Sequence, residues 1–240
     1  MLIVTTFALD SEFAPWRRRR PFRRSDGPVP IYESRLGRVR LRVVITGIGH
    51  HAATAAAAAV FRDTPDLCIA SGLAGGLSEA LRVADVVVPP RVSGPDGASI
   101  VCDPSALELA LDCGARHIEA LYSAPAIVVT SAQKRQLCGI ADAVDMESQT
   151  ILGESQQRGV PAVALRAISD TANVDLPLDL NRAVSSRGQV NRGRLFAELV
   201  RCPKALPGLV RLALLGSRAA TALSVFLDSY IAVLAQEGKL

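Results

Sequence analysis

Six short apolar runs set the main constraint on this chain: Leu2–Phe7, Leu41–Thr46, Leu67–Ser71, Val83–Val88, Ala126–Thr130 and Ala162–Ile168. Each is brief and continuous, which suits a strand buried on both faces. Helix-like stretches fall between several of them. His50–Phe61 is alanine-rich, Ser105–Leu111 follows Pro104, and Met146–Arg158 has helical length and periodicity. Strands alternating with helices predict an α/β fold, a mostly parallel mixed sheet flanked by helices. Gly94–Gly97 reads as a turn and Asp175–Asp179 as a proline-containing loop. With 240 residues, 49% hydrophobic and 21% charged, the chain can bury a large core, and residues 1–240 read as one domain. Neither an internal repeat nor a low-complexity linker interrupts it.

Residues 203–240 change character. Pro203, Pro207 and Gly208 punctuate the start, and LVRLALLGSRAATALSVFLDSYIAVLA then predicts one or two apolar helices. Such a tail can close a core, cover a subunit interface or lie on a membrane surface. The stretch Ala219–Ala235 contains Asp228 and falls short of the roughly 20 residues of a membrane span, so spanning is not expected. Nor is disorder, given the apolar content. Met1–Ala8 runs into Asp10 and Glu12 with no basic segment before it, so no secretory signal is expected.

The net charge of +4 is local. Six arginines lie in WRRRRPFRR (16–24); without them the 27 basic residues fall to 21, below the 23 acidic ones. A nucleic-acid partner calls for basic residues spread over a face with stacking aromatics, and none is expected here. The run reads as a solvated loop after the first strand, with an anionic partner such as lipid headgroups or phosphate as the alternative. Cys68, Cys102, Cys113, Cys138 and Cys202 are odd in number and irregularly spaced. They form neither a disulfide framework nor a zinc site, and read as buried, reduced thiols of a cytoplasmic protein.

Two glycine-rich turns follow successive strands. Thr46-Gly47-Ile48-Gly49-His50-His51-Ala52 has the GxGxxA spacing of a dinucleotide turn. That fingerprint also needs an acid at the end of the next strand, which here ends in Ser71-Gly72, while Asp63 and Asp66 precede it. A nicotinamide cofactor is therefore not expected. The second turn, SGLAGGL (71–77), places more backbone N–H groups at the same sheet edge, where they suit an anion, a sugar or a reacting water. Two acids follow at the ends of later elements. Glu147 in VDMES enters a helix and Asp170 in RAISD ends a strand, the edge at which open α/β sheets bind ligands. Read singly, Asp170 could equally cap the next helix, and Glu147 complement its dipole.

Taken together, the strand leading to Glu12, TGIG, SGLAGGL with VADVVVP, VDMES and RAISD resemble, in collinear order over residues 1–175, the nucleoside phosphorylase/nucleosidase family. That family includes the methylthioadenosine/S-adenosylhomocysteine nucleosidases. Thr130-Ser131-Ala132-Gln133-Lys134-Arg135 leading into AVDMES, and the tail RCPKALPGLVRLALLGSRA, look most like the hopanoid-associated phosphorylases. The resemblance implies a nucleoside phosphorylase-like fold and an enzyme cleaving the N-glycosidic bond of a purine nucleoside through an oxocarbenium-like transition state. By resemblance Asp170 donates a proton to purine N7, so burial or hydrogen bonding should raise its pKa. Glu147 would bind ribose hydroxyls, Met146 would make the apolar ribose contact, and Ser169 and Val128 would complete the ribose and base side.

Glu12 matches the nucleosidases' water-activating glutamate. The phosphorylases' phosphate-binding arginine corresponds to Ala70, so phosphorolysis would need a cation from Arg17–Arg20 or Arg35–Arg42. Gly49, Ser71, Gly72, Ala74 and Gly75 would lie on the nucleophile side in either case. Water and phosphate both stay open; no metal or tightly held cofactor is implied, and inorganic phosphate would be a co-substrate only in phosphorolysis. Val128–Asp142 is shorter than the nucleosidase segment carrying an adenine-stacking aromatic, and Lys134 falls near that aromatic's place. The resemblance thus points to adenine release from an adenosyl-hopanoid by a cytoplasmic homodimer that contacts the inner membrane face. A methylthioadenosine/S-adenosylhomocysteine-type nucleosidase and a non-catalytic nucleoside-binding module are the alternatives.

Overall fold

A computed structural model describes residues 1–185 and 188–237. Its strands are β1 (Leu2–Phe7), β2 (Arg23–Ser25), β3 (Ile31–Leu36), β4 (Val39–Ile45), β5 (Leu67–Gly76) and β6 (Val86–Val88), followed by β7 (Arg91–Ser93), β8 (Ser99–Val101), β9 (Arg116–His117), β10 (Leu121–Ser123), β11 (Ala143–Asp145) and β12 (Ala162–Asp170). The helices are α1 (Asp10–Arg19), α2 (His50–Val60), α3 (Pro104–Asp112), α4 (Ser131–Leu137), α5 (Ser148–Gln157), α6 (Arg192–Arg201) and α7 (Leu206–Glu237). The strands join in one mixed sheet, in the order β2-β3-β4-β1-β5-β11-β10-β7-β8, with β12 pairing β5 and β6, and β6 pairing β9. Every residue of β1 is buried because β1 lies between two parallel partners, β4 and β5, with helices over the sheet. The expected mixed α/β sheet flanked by helices, with an apolar helical tail, is what the chain forms.

Three expected boundaries change. The strand expected over Leu67–Ser71 runs on through its glycines to Gly76, since those residues pair with β12 and β11. Within Val83–Val88 only Val86–Val88 is strand, because the chain turns at Ala84, whose φ is +76°. No strand forms over Ala126–Thr130; the sheet takes Leu121–Ser123 instead, and Ala126, Ile127 and Val128 line a cavity.

The arginine run is not a loop. Arg17–Arg19 form the last turn of α1, although Pro15 within that helix has no N–H to donate, and Arg23–Arg24 begin β2. Burial holds α1 in place. Phe13 and Trp16 pack with Phe7, Phe22 and Tyr32, the Phe13–Phe22 ring centroids lying 4.9 Å apart in an edge-on arrangement. Trp16 Nε1 donates to Asp228 Oδ1 of α7 over 2.8 Å, and Arg19 and Arg20 reach the same carboxylate. Arg17 pairs with Asp10 at 2.8 Å, while Arg18, Arg23 and Arg24 are exposed.

The tail is one helix of 32 residues rather than two, long and apolar enough by length and composition to cross a membrane. Ala219, Leu223, Leu227 and Ile231 are buried in the main core, while only 28% of the helix's apolar stretch is buried. The earlier part of α7 leaves Val210 and Leu214 exposed. No disulfide joins the five cysteines; Cys68 and Cys102 are buried, but Cys138 and Cys202 are exposed, contrary to expectation.

Candidate active site

The parallel strands β1, β5 and β12 end at one edge of the sheet, and a cavity of about 620 Å³ opens there. Ala8 and Leu9 follow β1, Leu73–Gly75 close β5, and Ser169 and Asp170 end β12. Among the described lining residues the charged ones are Glu12, Asp145, Glu147 and Asp170, all carboxylic; most of the remaining wall is apolar.

Glu12 lies in the first turn of α1 and reaches back over the helix start. Its Oε2 accepts from the N–H groups of Ala8 at 3.1 Å and Leu9 at 3.3 Å, and its Oε1 from Leu73 at 3.4 Å. Burial raises its pKa above the ordinary 4.5, against the opposing pull of Arg166 and the three amides. Glu147 Oε1 accepts the Gly49 N–H at 2.7 Å. Gly49 has φ +86°, and a Cβ there would lie 3.4 Å from Met146 Cε, so the glycine packs the TGIG turn onto the Met146-Glu147 turn. Burial first, then Asp145, pushes the Glu147 carboxyl up to about 8.

Arg166 of β12 stands behind this array, 1% exposed. Its Nη2 meets Asp145 Oδ2 at 2.5 Å, Nε and Nη2 donate to Ser148 Oγ, Nη1 donates to the Ser71 carbonyl at 3.1 Å, and Glu147 Oε2 lies 3.9 Å from Nη1. Asp145 also accepts from Ser123 Oγ and from the Ser148 N–H. A buried guanidinium so fully engaged fixes its carboxylate partners in place.

Asp170 is not an isolated acid. Ser169 Oγ lies 2.6 Å from its Oδ1, and Lys134 Nζ lies 2.5 Å from its Oδ2. The capping box of Thr130 and Gln133 starts α4 so that Lys134 points inward. Lys134 therefore sits behind the acid and does not line the cavity.

The Phosphorylase superfamily profile matches residues 3–201. The chain belongs to that superfamily. The methylthioadenosine/S-adenosylhomocysteine nucleosidase of Shewanella sp. (strain W3-18-1) is 29% identical over 175 residues, 61% of this chain and 75% of that protein. The same-named protein of Exiguobacterium sp. is 27% identical over 63% of this chain and 76% of its own length. Among solved structures, futalosine hydrolase of Helicobacter pylori superposes with a TM-score of 0.76 at 19% identity, covering 98% of each chain. The Campylobacter jejuni methylthioadenosine/S-adenosylhomocysteine nucleosidase gives 0.75 at 18% identity, covering 98% of this chain and all of that one. The resemblance to the nucleoside phosphorylase/nucleosidase family is borne out, and with it an enzyme acting on N-glycosidic bonds.

Within this superfamily member, Glu12, Met146, Glu147, Ser169, Asp170, Val128, Ala74 and Gly75 all line the one cavity. Gly49, Ser71 and Gly72 do not: Gly49 holds Glu147, and Gly72 underlies Arg166 and Glu12. Neither arginine run lines the cavity of its own chain. Arg40 pairs with Leu2 at the opposite end of β1, Arg42 joins Glu33 and Asp63, and Arg17, Arg19 and Arg20 are tied to Asp10 and Asp228. Asp145, Arg166 and Lys134 are the residues that motif reading did not single out for these roles. An arginine inside the apolar run of β12 was the available signal, since a buried cation needs a buried anion.

Proposed function

We propose that this protein hydrolyses the N-glycosidic bond of a purine nucleoside bearing a large apolar 5′-substituent, with an adenosyl-hopanoid as the fitting substrate. One observation carries the reading: four carboxyl groups, and no lysine or arginine among the described lining residues, face an otherwise apolar cavity. As the C1′–N9 bond breaks, its electron pair moves into the base and positive charge builds on the ribose. Carboxylates aimed at that ring stabilise the charge where it develops. Asp170 delivers a proton to N7 of the leaving purine, Glu147 holds the ribose hydroxyls, and Glu12 takes the proton of the attacking water. The cations behind these carboxyls, Arg166 and Lys134, are buried and already paired, so a phosphate dianion entering the same space would find none free to hold it, which favours water as the nucleophile. No cofactor enters this scheme.

The lipid part of the reading is supported by the outer wall. Leu209, Val210, Ala213 and Gly216 of α7 line the cavity, while Val210, Leu214 and Phe196 are exposed close by in sequence to Arg201, Lys204 and Arg211. Exposed apolar residues interspersed with cations suit the interface of an anionic membrane, from which a cytoplasmic enzyme could draw a lipid-linked nucleoside. The test is product analysis with 5′-methylthioadenosine and a 5′-long-chain adenosine, each with and without phosphate. Free ribose products, no phosphate dependence and preference for the long-chain nucleoside are expected. Ribose 1-phosphate ends would overturn hydrolysis; retained adenine release by Asp170→Asn or Glu147→Gln would overturn the site. If the protein fails to sediment with anionic vesicles at low salt, the membrane contact is wrong.

A further inference from the structure

Lys134 is a buried lysine that the scheme above does not use. It is 1% exposed and does not line the cavity, yet every one of its protons has an acceptor. Nζ lies 2.5 Å from Asp170 Oδ2, 2.7 Å from the Thr171 carbonyl and 3.1 Å from the Val174 carbonyl. The segment after β12 thus wraps the ammonium on one side while the carboxyl of Asp170 faces it on another. Two further bonds seat α4 against that segment: Asp175 Oδ1 accepts the Ser131 N–H at 2.6 Å, and Leu176 N–H donates to the Val129 carbonyl at 2.8 Å. Burying a lysine is costly unless it is paired and fully hydrogen-bonded, and a clamp for one loop needs no charge. What the charge adds is a proton source in contact with the carboxyl that must deliver a proton.

We propose that Lys134 is a positioning residue acting through Asp170: it orients the carboxyl and recharges it with the proton that passes to the departing purine. The inference rests on the reading of Asp170 given above. As the C1′–N9 bond lengthens and N7 gains electron density, Nζ gives a proton to Asp170 Oδ2, and the carboxylic acid so formed hands that proton to N7. The net movement is one proton from Nζ to N7, leaving a neutral amine and an unchanged carboxylate. Water, meanwhile, gives its proton to Glu12 as its oxygen bonds to C1′. Once products leave, solvent restores the proton on Nζ and removes the one on Glu12. The charged groups bearing on Lys134 are Asp170 of β12, Asp175 of the following loop and Arg135 on its own helix. Beside it on α4, Leu137 packs near Leu77, Ala141 and Val144, while Gln133, Arg135 and Gln136 are exposed.

Turnover of saturating 5′-methylthioadenosine over about pH 5 to 9 tests this, with each variant expressed as a ratio to the wild type. Lys134→Met leaves only solvent to supply the carboxyl with a proton, so its rate should fall by roughly 10²-fold or more, with a loss that deepens as pH rises. Lys134→Arg keeps the cation but cannot give up a proton in this range, so it should stay folded by thermal melt and still lose roughly 10²-fold. A clamp without a proton role gives the opposite pair: Arg restores near-wild-type turnover, and Met lowers the rate by one factor at every pH. Either of those results overturns the proposal, and if the Met variant does not fold, the Arg variant decides alone. Asp170→Asn separates the two readings. Wild-type turnover in that variant removes the role of Asp170 itself, whereas an inactive Asp170→Asn beside a fully active Lys134→Arg removes only the role of Lys134.

Discussion

Replacing Gly72 with alanine should disable the site without adding or removing a charge. A Cβ at Gly72 would lie 2.5 Å from Arg166 Nη1 and 3.1 Å from Glu12 Oε2. Ordinary contact begins near 3.4 Å, so Nη1 must withdraw by about 1 Å. It cannot do so freely, because the same guanidinium is tied to Asp145, to Ser148 Oγ and to the Ser71 carbonyl. Losing one charge-assisted bond in that buried set costs about 1.5–3 kcal/mol. The backbone adds to this: φ at Gly72 is +145°, a conformation that costs a side-chain-bearing residue about 1–3 kcal/mol. The sum, about 2.5–6 kcal/mol, corresponds to a Tm lowered by roughly 5–20 °C in a chain of this size. Displacing Glu12 or Arg166 by about 1 Å should lower kcat/KM about 10²-fold. Gly97→Ala is the control, since Gly97 also has positive φ but nothing lies within 4 Å of its Cβ. It should lose only the backbone part and keep full activity. Thermal unfolding and adenine release on both variants decide the matter. If Gly72→Ala matches Gly97→Ala in Tm and retains activity within about threefold, the packing of Gly72 beneath Arg166 does not position the site.

Asp228→Ala removes the acceptor shared by Trp16, Arg19 and Arg20 and should cost about 2–3 kcal/mol, read as a lower urea midpoint. Ser71 Oγ is buried with no hydrogen-bond partner among the described residues, so Ser71→Ala should be neutral or up to about 1 kcal/mol stabilising, with activity unchanged. Glu12 must be ionised to accept a proton, and burial raises its pKa; kcat/KM should therefore fall with decreasing pH starting above the usual carboxylate range, and Glu12→Gln should abolish that limb along with most activity. Gly216 faces the cavity, with its Cβ position 3.7 Å from Leu73 Cδ1. Gly216→Phe should cut turnover of a 5′-long-chain adenosine at least tenfold while sparing 5′-methylthioadenosine, as separate kcat/KM measurements would show.

The parts of this fold that could be read from sequence are those whose surroundings are uniform. β1 and β12 are mostly apolar because both their faces are covered, Thr5, Thr6 and Arg166 aside, and the motifs at their ends fall at the cavity. Helix α1 was hidden for the opposite reason. Its arginines and Pro15 look like a loop, and what orders it lies far along the chain, in Tyr32 and Asp228. Ala126–Val128 are apolar for the sake of a cavity rather than a sheet, a distinction that local composition does not carry. Lys134 and Asp170 are 36 residues apart with no shared motif, so only the tertiary packing of α4 brings them together.

The Trp16–Asp228 bond spans 212 residues, and helix α1 packs closely along α7. Contacts of such long sequence separation form late, because much of the chain must be ordered before the two helices can meet. During synthesis the consequence is temporal. A nascent chain made only through residue 201 already contains Glu12, Asp145, Glu147 and Asp170, but α1 has no helix to cover Trp16. The element that carries Glu12 is thus completed only after the residues of α7 have been made, so cleavage of an N-glycosidic bond should await the packing of α7 against α1.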